Sequence, residues 1–253
     1  MINITVIGTN AYALLALRFI RRWMHFYGGV MDAPEFNHRV TFHLFSDVDP
    51  YEHLDVTRGQ VVWRQTQHRS WLEADHAKIE TVGRVAEAGE AYTYYFDADT
   101  NIQRRFTSQW FVGELVAGQH YCDVRHKPFD RNPDSHCCVP SDAPGQVYCY
   151  GAFFGGTSAR VAEMCRELVQ RERADREGGY EAAVNDESYL NWYWHHNKPT
   201  LVVPCHEFPF SVSDKGGLAI ERRPEFAIHE QLAALRARRG DLFDIKRGRV
   251  VFS

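Results

Sequence analysis

The sequence has no surplus of positive charge, no long apolar run, no internal repeat and no Pro/Ser-rich linker, and each absence narrows what the chain can be. Lys+Arg is 29 against Asp+Glu 33, a net charge of −4. A protein held on nucleic acid by its phosphates carries a basic surplus or stripe, so no nucleic-acid partner is expected. No stretch approaches the roughly 18 apolar residues of a membrane span. The most apolar opening segment, Ala11 to Ile20, contains Arg18, so no transmembrane segment is expected. Met1 leads into Ile-Asn-Ile-Thr-Val-Ile rather than a basic n-region, and no small-residue cleavage site follows. The six cysteines (Cys122, Cys137, Cys138, Cys149, Cys165, Cys205) include no CxxC spacing. Reduced thiols are therefore expected rather than a disulfide framework. The expectation is a soluble, cytoplasmic protein. At 253 residues the chain can bury a core without staples. Its aromatic content of 13% suits either a rich core or a pocket for flat or ring-shaped ligands.

The hydrophobic periodicity alternates between strand and helix. Ile2 to Ile7 reads as a buried strand, running into Gly8-Thr9-Asn10 with Asn10 as a candidate N-cap. Ala11 to Tyr27 places Tyr12, Leu15, Phe19 and Trp23 on one helical face, with Gly28-Gly29 as its stop. Val40 to Phe45 and Val61 to Trp63 read as strands. Leu72 to Ala88 reads as a helix ending at Gly89. Tyr92 to Phe96 and Tyr148 to Phe154 are further strands, the latter bounded by Gly155-Gly156. A helix capped by Ser158 ends at Gly178-Gly179, another capped by Asn185 runs to His196, and Leu201 to Val203 is a last strand. This order predicts an α/β fold with a largely parallel sheet flanked by helices. Ligands sit at the carboxyl ends of such strands, which puts Gly8-Thr9-Asn10, Asp47 and Asp97-Ala98-Asp99 on one rim.

Tyr94-Tyr95-Phe96-Asp97-Ala98-Asp99 is the most informative string. Two carboxylates spaced i, i+2 after an apolar strand repel each other unless a cation or solvent lies between them. Hard oxygen donors in that arrangement suit Mg²⁺ or Mn²⁺ with phosphate oxygens completing the shell; a solvated turn is the plainer alternative. Asp97-Ala98-Asp99-Thr100 matches both the first motif of haloacid-dehalogenase-type phosphatases, where the first Asp is the nucleophile, and the metal motif of nucleotide-sugar glycosyltransferases. The phosphatase motif usually lies near the N-terminus and is followed by a lysine and a late acidic pair. Here 96 residues precede it, and they supply the α/β half that a nucleotide needs. His120, Cys122, His126, His136, Cys137 and Cys138 fit no zinc spacing.

With His38-Arg39-Val40 and Phe45-Ser46-Asp47, the acidic pair, Tyr150-Gly151-Ala152-Phe153-Phe154-Gly155-Gly156, and Asp186-Glu187-Ser188-Tyr189-Leu190-Asn191 followed by Asn197-Lys198-Pro199-Thr200, the chain resembles glycosyltransferase family 6. That is the family of the blood-group A and B transferases, the α-1,3-galactosyltransferase and the Forssman synthase. The resemblance runs over roughly residues 4 to 205 and implies a single GT-A domain, taken as residues 1–240 with a tail at 241–253. Animal members carry a membrane anchor and stem, so the resemblance is to short bacterial and phage members, with an intact DxD motif. It implies a retaining transfer of galactose or N-acetylgalactosamine from UDP to the 3-hydroxyl of a β-galactoside glycan, with Mn²⁺ (or Mg²⁺) as cofactor.

The resemblance also implies roles. Asp97 and Asp99 would hold the metal against the diphosphate; Val6, Ile7 and Tyr12 would line uracil and ribose; Lys78 would be a basic donor contact, its plainer alternative being a solvated helix position. Glu187 is the catalytic candidate, a carboxylate beneath the anomeric carbon of an oxocarbenium-like transition state. In the first turn of a helix it also complements the dipole, which is the plainer account. Asp186 would contact donor hydroxyls, and Tyr150, Gly151 and Ala152 would select the donor sugar, the bulky Tyr150 leaning to galactose. His120 would bind the acceptor, Glu207 would stand in for a family acid at the acceptor, and Arg236 would clamp the diphosphate. Val184 replaces a family Trp that packs on the acceptor. A phosphatase using Asp97, and a UDP-sugar-binding module without catalysis, stay as alternatives. The oligomeric state is left open.

Overall fold

The computed structural model describes residues 1–27, 32–33, 38–106, 108–120, 129–141, 147–211, 241–244 and 249–252. The expected Gly28-Gly29 stop, Cys122, His126 and the helix expected over 229–239, including Arg236, lie outside them. In chain order the elements are β1 (Ile2–Ile7), α1 (Ala11–Phe26), β2 (Asp32–Ala33), β3 (His38–Ser46), β4 (Val61–Gln65), α2 (Trp71–Ala88), β5 (Tyr92–Phe96), β6 (Asn101–Ile102), β7 (Leu115–Gln119), β8 (Cys149–Thr157), α3 (Ser158–Glu177), α4 (Asn185–His196), β9 (Leu201–Val203), β10 (Phe210–Ser211), β11 (Asp241–Asp244) and β12 (Arg249–Phe252). β11 and β12 pair as an antiparallel hairpin within the expected tail. Among the described residues no helix is long and apolar enough to cross a membrane.

The main sheet runs β2-β3-β1-β5-β8-β7-β9, with β4 also on β3. β1 pairs in parallel with β3 and β5, β3 with β4, and β7 with β9. β8 enters antiparallel between β5 and β7, and β2 is antiparallel on β3. The sheet is therefore α/β and mostly parallel but mixed. Side chains alternate across it. Ile2, Ile4 and Val6 of β1, Phe42 and Leu44 of β3, and Tyr94 and Phe96 of β5 pack with α1 on one face. Ile7, Tyr95 and Phe154 pack with α2, α3 and α4 on the other. Trp23 of α1 is fully buried among the rings of Tyr27, Phe42 and Phe106, at centroid distances of 4.9, 5.6 and 5.2 Å. The parallel register sets Ile7 beside Phe45, so the ends of β1, β3 and β5 share one rim, as the strand order had suggested.

Several local expectations are corrected. Gly155-Gly156 does not end β8, which continues to Thr157. A Cβ on Gly156 (φ 148°) would lie 2.0 Å from the Glu114 carbonyl oxygen, so this residue is a site of close strand approach, not a turn. Ser158 is not a cap; it opens α3 after Thr157, and its hydroxyl bonds that of Thr93 at 2.9 Å. Asn185 is the first residue of α4, with φ 38°, and Val184 holds the capping position. Asn10 does hold the capping position of α1, as expected, though without a side-chain cap bond. β7 went unread because Leu-Val-Ala-Gly-Gln is short, rich in small residues and almost wholly buried, so no alternation marks it.

His43 in β3 shows how polar groups are settled inside the sheet. Arg64 Nη1 can only donate, so His43 Nδ1 accepts from it (3.1 Å), and Nε2 donates to Asn3 Oδ1 (3.0 Å). Burial, then the Arg64 charge, lowers the imidazole pKa to about 4. Between pH 6.5 and 4 the unfolded chain takes up a proton that the folded chain refuses, so stability falls as pH falls through that window. Denaturant unfolding is expected to show a loss on the order of 2 kcal/mol across it, and His43→Asn is expected to flatten that slope.

Candidate active site

The rim is held by cross-links between loops. The Asn10 backbone N–H donates to both Asp47 carboxylate oxygens at 3.1 Å, and Asn10 Nδ2 donates to the His68 carbonyl at 3.0 Å. Thr9 Oγ1 lies 3.4 Å from His68 Nδ1. Asn10 sits at φ 58°, ψ −126°. Such strain persists where surrounding bonds over-determine the backbone, as they do here. The loops after β1, β3 and β4 are thus one unit, and the Asp47 of the Phe45-Ser46-Asp47 motif serves as its anchor.

Beside this unit lies a group of carboxylates around one ammonium. Lys78 of α2 places Nζ 2.8 Å from Asp186 Oδ2, 3.2 Å from Asp75 Oδ1 and 3.4 Å from Asp97 Oδ1. The Lys78 side chain is 9% exposed, so a solvated helix position is excluded. Tyr95 at the end of β5 donates its hydroxyl to Asp97 Oδ1 at 2.6 Å. Burial, then repulsion from Asp97, pushes Asp99 up to about 7, against the pull of Arg18. Arg18 also donates to the Asp99 carbonyl at 3.4 Å. Burial, then Asp75, pushes Asp186 well above the carboxylate range despite Lys78. Burial and the two aspartates Asp99 and Asp97 raise the Tyr12 hydroxyl, which stays neutral.

Glu187 is fixed by β8. Its Oε2 accepts the Gly151 backbone N–H at 2.9 Å. Asn191, one turn further along α4, spans the same junction: its Nδ2 donates to the Glu187 and Cys149 carbonyls (2.8 and 2.9 Å), and its Oδ1 accepts the Cys149 N–H (2.7 Å). The Tyr148 hydroxyl is pushed up by burial, then by the Glu187 charge and a hydrogen bond to that carboxylate. A Cβ on Gly151 would lie 3.3 Å from both Asp186 Oδ2 and Glu187 Oε2; only glycine lets the strand come this near. The run Asp186-Glu187-Ser188-Tyr189-Leu190-Asn191 therefore reads as a carboxylate pair followed by the residue that bolts it in place.

One cleft brings together Ile7, Tyr12, Lys78, Asp97, Asp99, Tyr150, Gly151, Ala152, Asp186 and Glu187. Three of the described sequence candidates fall elsewhere. Val6 is fully buried on the α1 face, because neighbours on a strand point to opposite sides and Ile7 takes the cleft side. His120 is buried behind the cleft, its ring edge-on to Tyr150 at 4.7 Å. Glu207 sits in a 3₁₀ turn (Cys205–Glu207) with a half-exposed side chain 3.9 Å from His206, and it does not line the cleft. Arg236 lies outside the described residues. The sequence reading missed Asp75, Tyr95 and Asn191. Asp75 had a legible signal, since it lies three residues before Lys78 and hence on the same helix face.

The donor set fits a hard divalent cation. Asp97 and Asp99 are oxygen donors; burial first and their repulsion second raise Asp99, and a cation offsets both. Among the described residues no three His, Cys, Asp or Glu side chains form a metal cage on their own, so a cation here needs further oxygens from water or a ligand's phosphates.

The Glycosyltransferase family 6 sequence model matches residues 2–211. Histo-blood group ABO system transferase 2 of Rattus norvegicus is 25% identical over 213 residues, 80% of this chain and 61% of that protein. Globoside alpha-1,3-N-acetylgalactosaminyltransferase 1 of Homo sapiens is 29% identical over 224 residues, 80% of this chain and 60% of that protein. O-antigen biosynthesis glycosyltransferase WbnI of Escherichia coli is 28% identical over 127 residues, 47% of this chain and 53% of that protein. The chain thus spans about three fifths of the length of the first two relatives.

Gly151→Ala is expected to force Glu187 and Asp186 back by a few tenths of an ångström and to lower the turnover of whatever reaction the cleft carries about tenfold. The unfolding midpoint should move little; steady-state kinetics beside a melting curve check both.

Proposed function

The chain belongs to glycosyltransferase family 6, and we propose that it is a retaining α-1,3-glycosyltransferase that moves galactose or N-acetylgalactosamine from a UDP-sugar to the 3-hydroxyl of a β-galactoside. The relatives' names support this reading, since they include an alpha-1,3-N-acetylgalactosaminyltransferase and an alpha-1,3-galactosyltransferase. The single observation that carries it is the convergence, in one cleft, of the acidic pair after β5 with a buried glutamate locked against Tyr150-Gly151-Ala152. Family membership withdraws the phosphatase reading of Asp97.

In this reading Asp97 and Asp99 hold Mn²⁺, with Mg²⁺ as the second choice. When bound, that ion supplies neutralising charge for a diphosphate leaving group. The protein's own groups do the rest. Tyr12 and Ile7 receive the nucleoside, and Lys78 with its carboxylate partners borders the donor subsite. Glu187 faces the ring carbon where positive charge develops and stabilises it as a carboxylate. The Gly151 N–H orients that carboxylate, and its place in the first turn of α4 complements the helix dipole. Tyr150 narrows the donor pocket and favours galactose over the bulkier N-acetyl sugar. His120 would meet the acceptor by way of Tyr150, and the half-exposed Glu207 would meet it from outside the cleft.

The full chain, given UDP-galactose or UDP-N-acetylgalactosamine with lactose or 2′-fucosyllactose, is expected to form product only with added Mn²⁺, less with Mg²⁺ and none in EDTA. Full activity in EDTA would remove the metal role, and UDP-sugar binding with neither transfer nor hydrolysis would leave a binding module. Glu187→Gln is expected to lower kcat by roughly 100-fold or more while UDP affinity, read by calorimetry, changes little. A near-normal rate would remove Glu187 from the mechanism.

A further inference from the structure

Asp75 lies outside every motif that pointed to the site, yet it lines the cleft with its side chain 5% exposed. We propose that Asp75 is a positioning residue: it holds the Lys78 ammonium at the junction of β5 and α4, and through it sets the placement of Asp97 relative to Asp186 and Glu187. This rests on the reading of the cleft as a glycosyl-transfer site.

The geometry is that of a three-way tie. A lysine ammonium has three hydrogens, and Lys78 meets three carboxylates at 2.8, 3.2 and 3.4 Å. Two of them, Asp186 and Asp97, sit on elements far apart in the sequence and have opposed jobs, one beside the catalytic glutamate and one in the acidic pair. A lysine on a flexible four-carbon stem held by those two alone would drift towards the nearer, Asp186. Asp75 is different because it rides on the same helix three residues earlier, so it fixes the ammonium relative to α2 itself. That helix is rigid where it matters: Ser70 Oγ accepts the Glu73 N–H at 3.1 Å, and Glu73 Oε2 accepts the Arg69 N–H at 2.6 Å. Asp75 stands in the next turn. The Lys78 ammonium also lies 5.2 Å from the Tyr95 ring centre, and Tyr95 in turn holds Asp97. Asp75 therefore reaches Asp97 through Lys78, and stands beside Asp186 both through Lys78 and directly.

The test is a kinetic comparison of wild type, Asp75→Ala and Asp75→Asn, using the full chain with UDP-hexose, Mn²⁺ and a β-galactoside. Asp75→Ala is expected to lower kcat about 10- to 100-fold, the scale on which a small misplacement of catalytic groups acts, with KM for the UDP-sugar within about twofold. Asp75→Asn keeps the volume and one oxygen acceptor, so it is expected to recover part of the loss. If the alanine variant does not fold, the asparagine variant decides, with an expected kcat decrease of about 3- to 10-fold at held KM. Normal kcat in the folded variants overturns the proposal. So does a raised KM at held kcat, which would make Asp75 a donor contact, or a lowered melting point with normal kcat. Wild type that turns over no UDP-hexose takes down the functional reading and this proposal with it; an active wild type with normal variants takes down the proposal alone.

Discussion

A single buried ammonium holds the site together. Lys78 stands among Asp75, Asp97 and Asp186, and each of those carboxylates belongs to a different stretch of chain. Without it, three acids would share a partly dry cleft with no ammonium between them. With it, the end of a central strand and the start of a helix that follows it by some ninety residues are drawn to the same point. Buried charge of this kind contributes little net stability, because desolvation offsets most of the attraction. Its use here is placement.

The second constraint is backbone against carboxylate. Gly151 brings a strand close enough for its N–H to reach Glu187, and Asn191 closes the same junction with three hydrogen bonds. A carboxylate gripped in this way keeps its orientation as a substrate enters, so little reorganisation is left for the reaction itself. The opposite wall is built on the same principle. Asn10, held at positive φ by Asp47 and His68, turns the loop after β1 into the cleft. Asn185, also at positive φ, does so for the start of α4. Both of these residues line the cleft, and Asp47 and His68 hold Asn10 there.

Much of this was legible in the chain. Apolar runs marked β1 and β5 to the residue, an apolar face with a glycine stop marked α2 closely, and the expected span to His196 matched α4. The acidic pair and the Asp186-Glu187 motif could be named and placed on strand and helix ends, and the structure sets them in one cleft. Where reading failed, the reasons are physical. Gly155-Gly156 looked like a turn because glycine serves turns and close approaches alike, and only the neighbouring strand distinguishes them. Val6 was paired with Ile7 although the pleat sends them to opposite faces. Glu207 was assigned by order along the chain, which carries no information about where a 3₁₀ turn points its side chains.

The sequence by itself determined which chemical groups are available and which local element carries each: carboxylates after a strand, carboxylates opening a helix, a glycine-rich strand beside them. Those follow from periods and propensities that act over a few residues. Only the tertiary structure decided which groups meet. The insertion of β8 antiparallel beside β5 brings Gly151 to Glu187, and the packing of α2 over that junction brings Asp75 and Lys78 to Asp97 and Asp186. Strand order and helix packing are set by the burial of whole faces against one another, and that sum over distant residues leaves no local trace of which groups will meet.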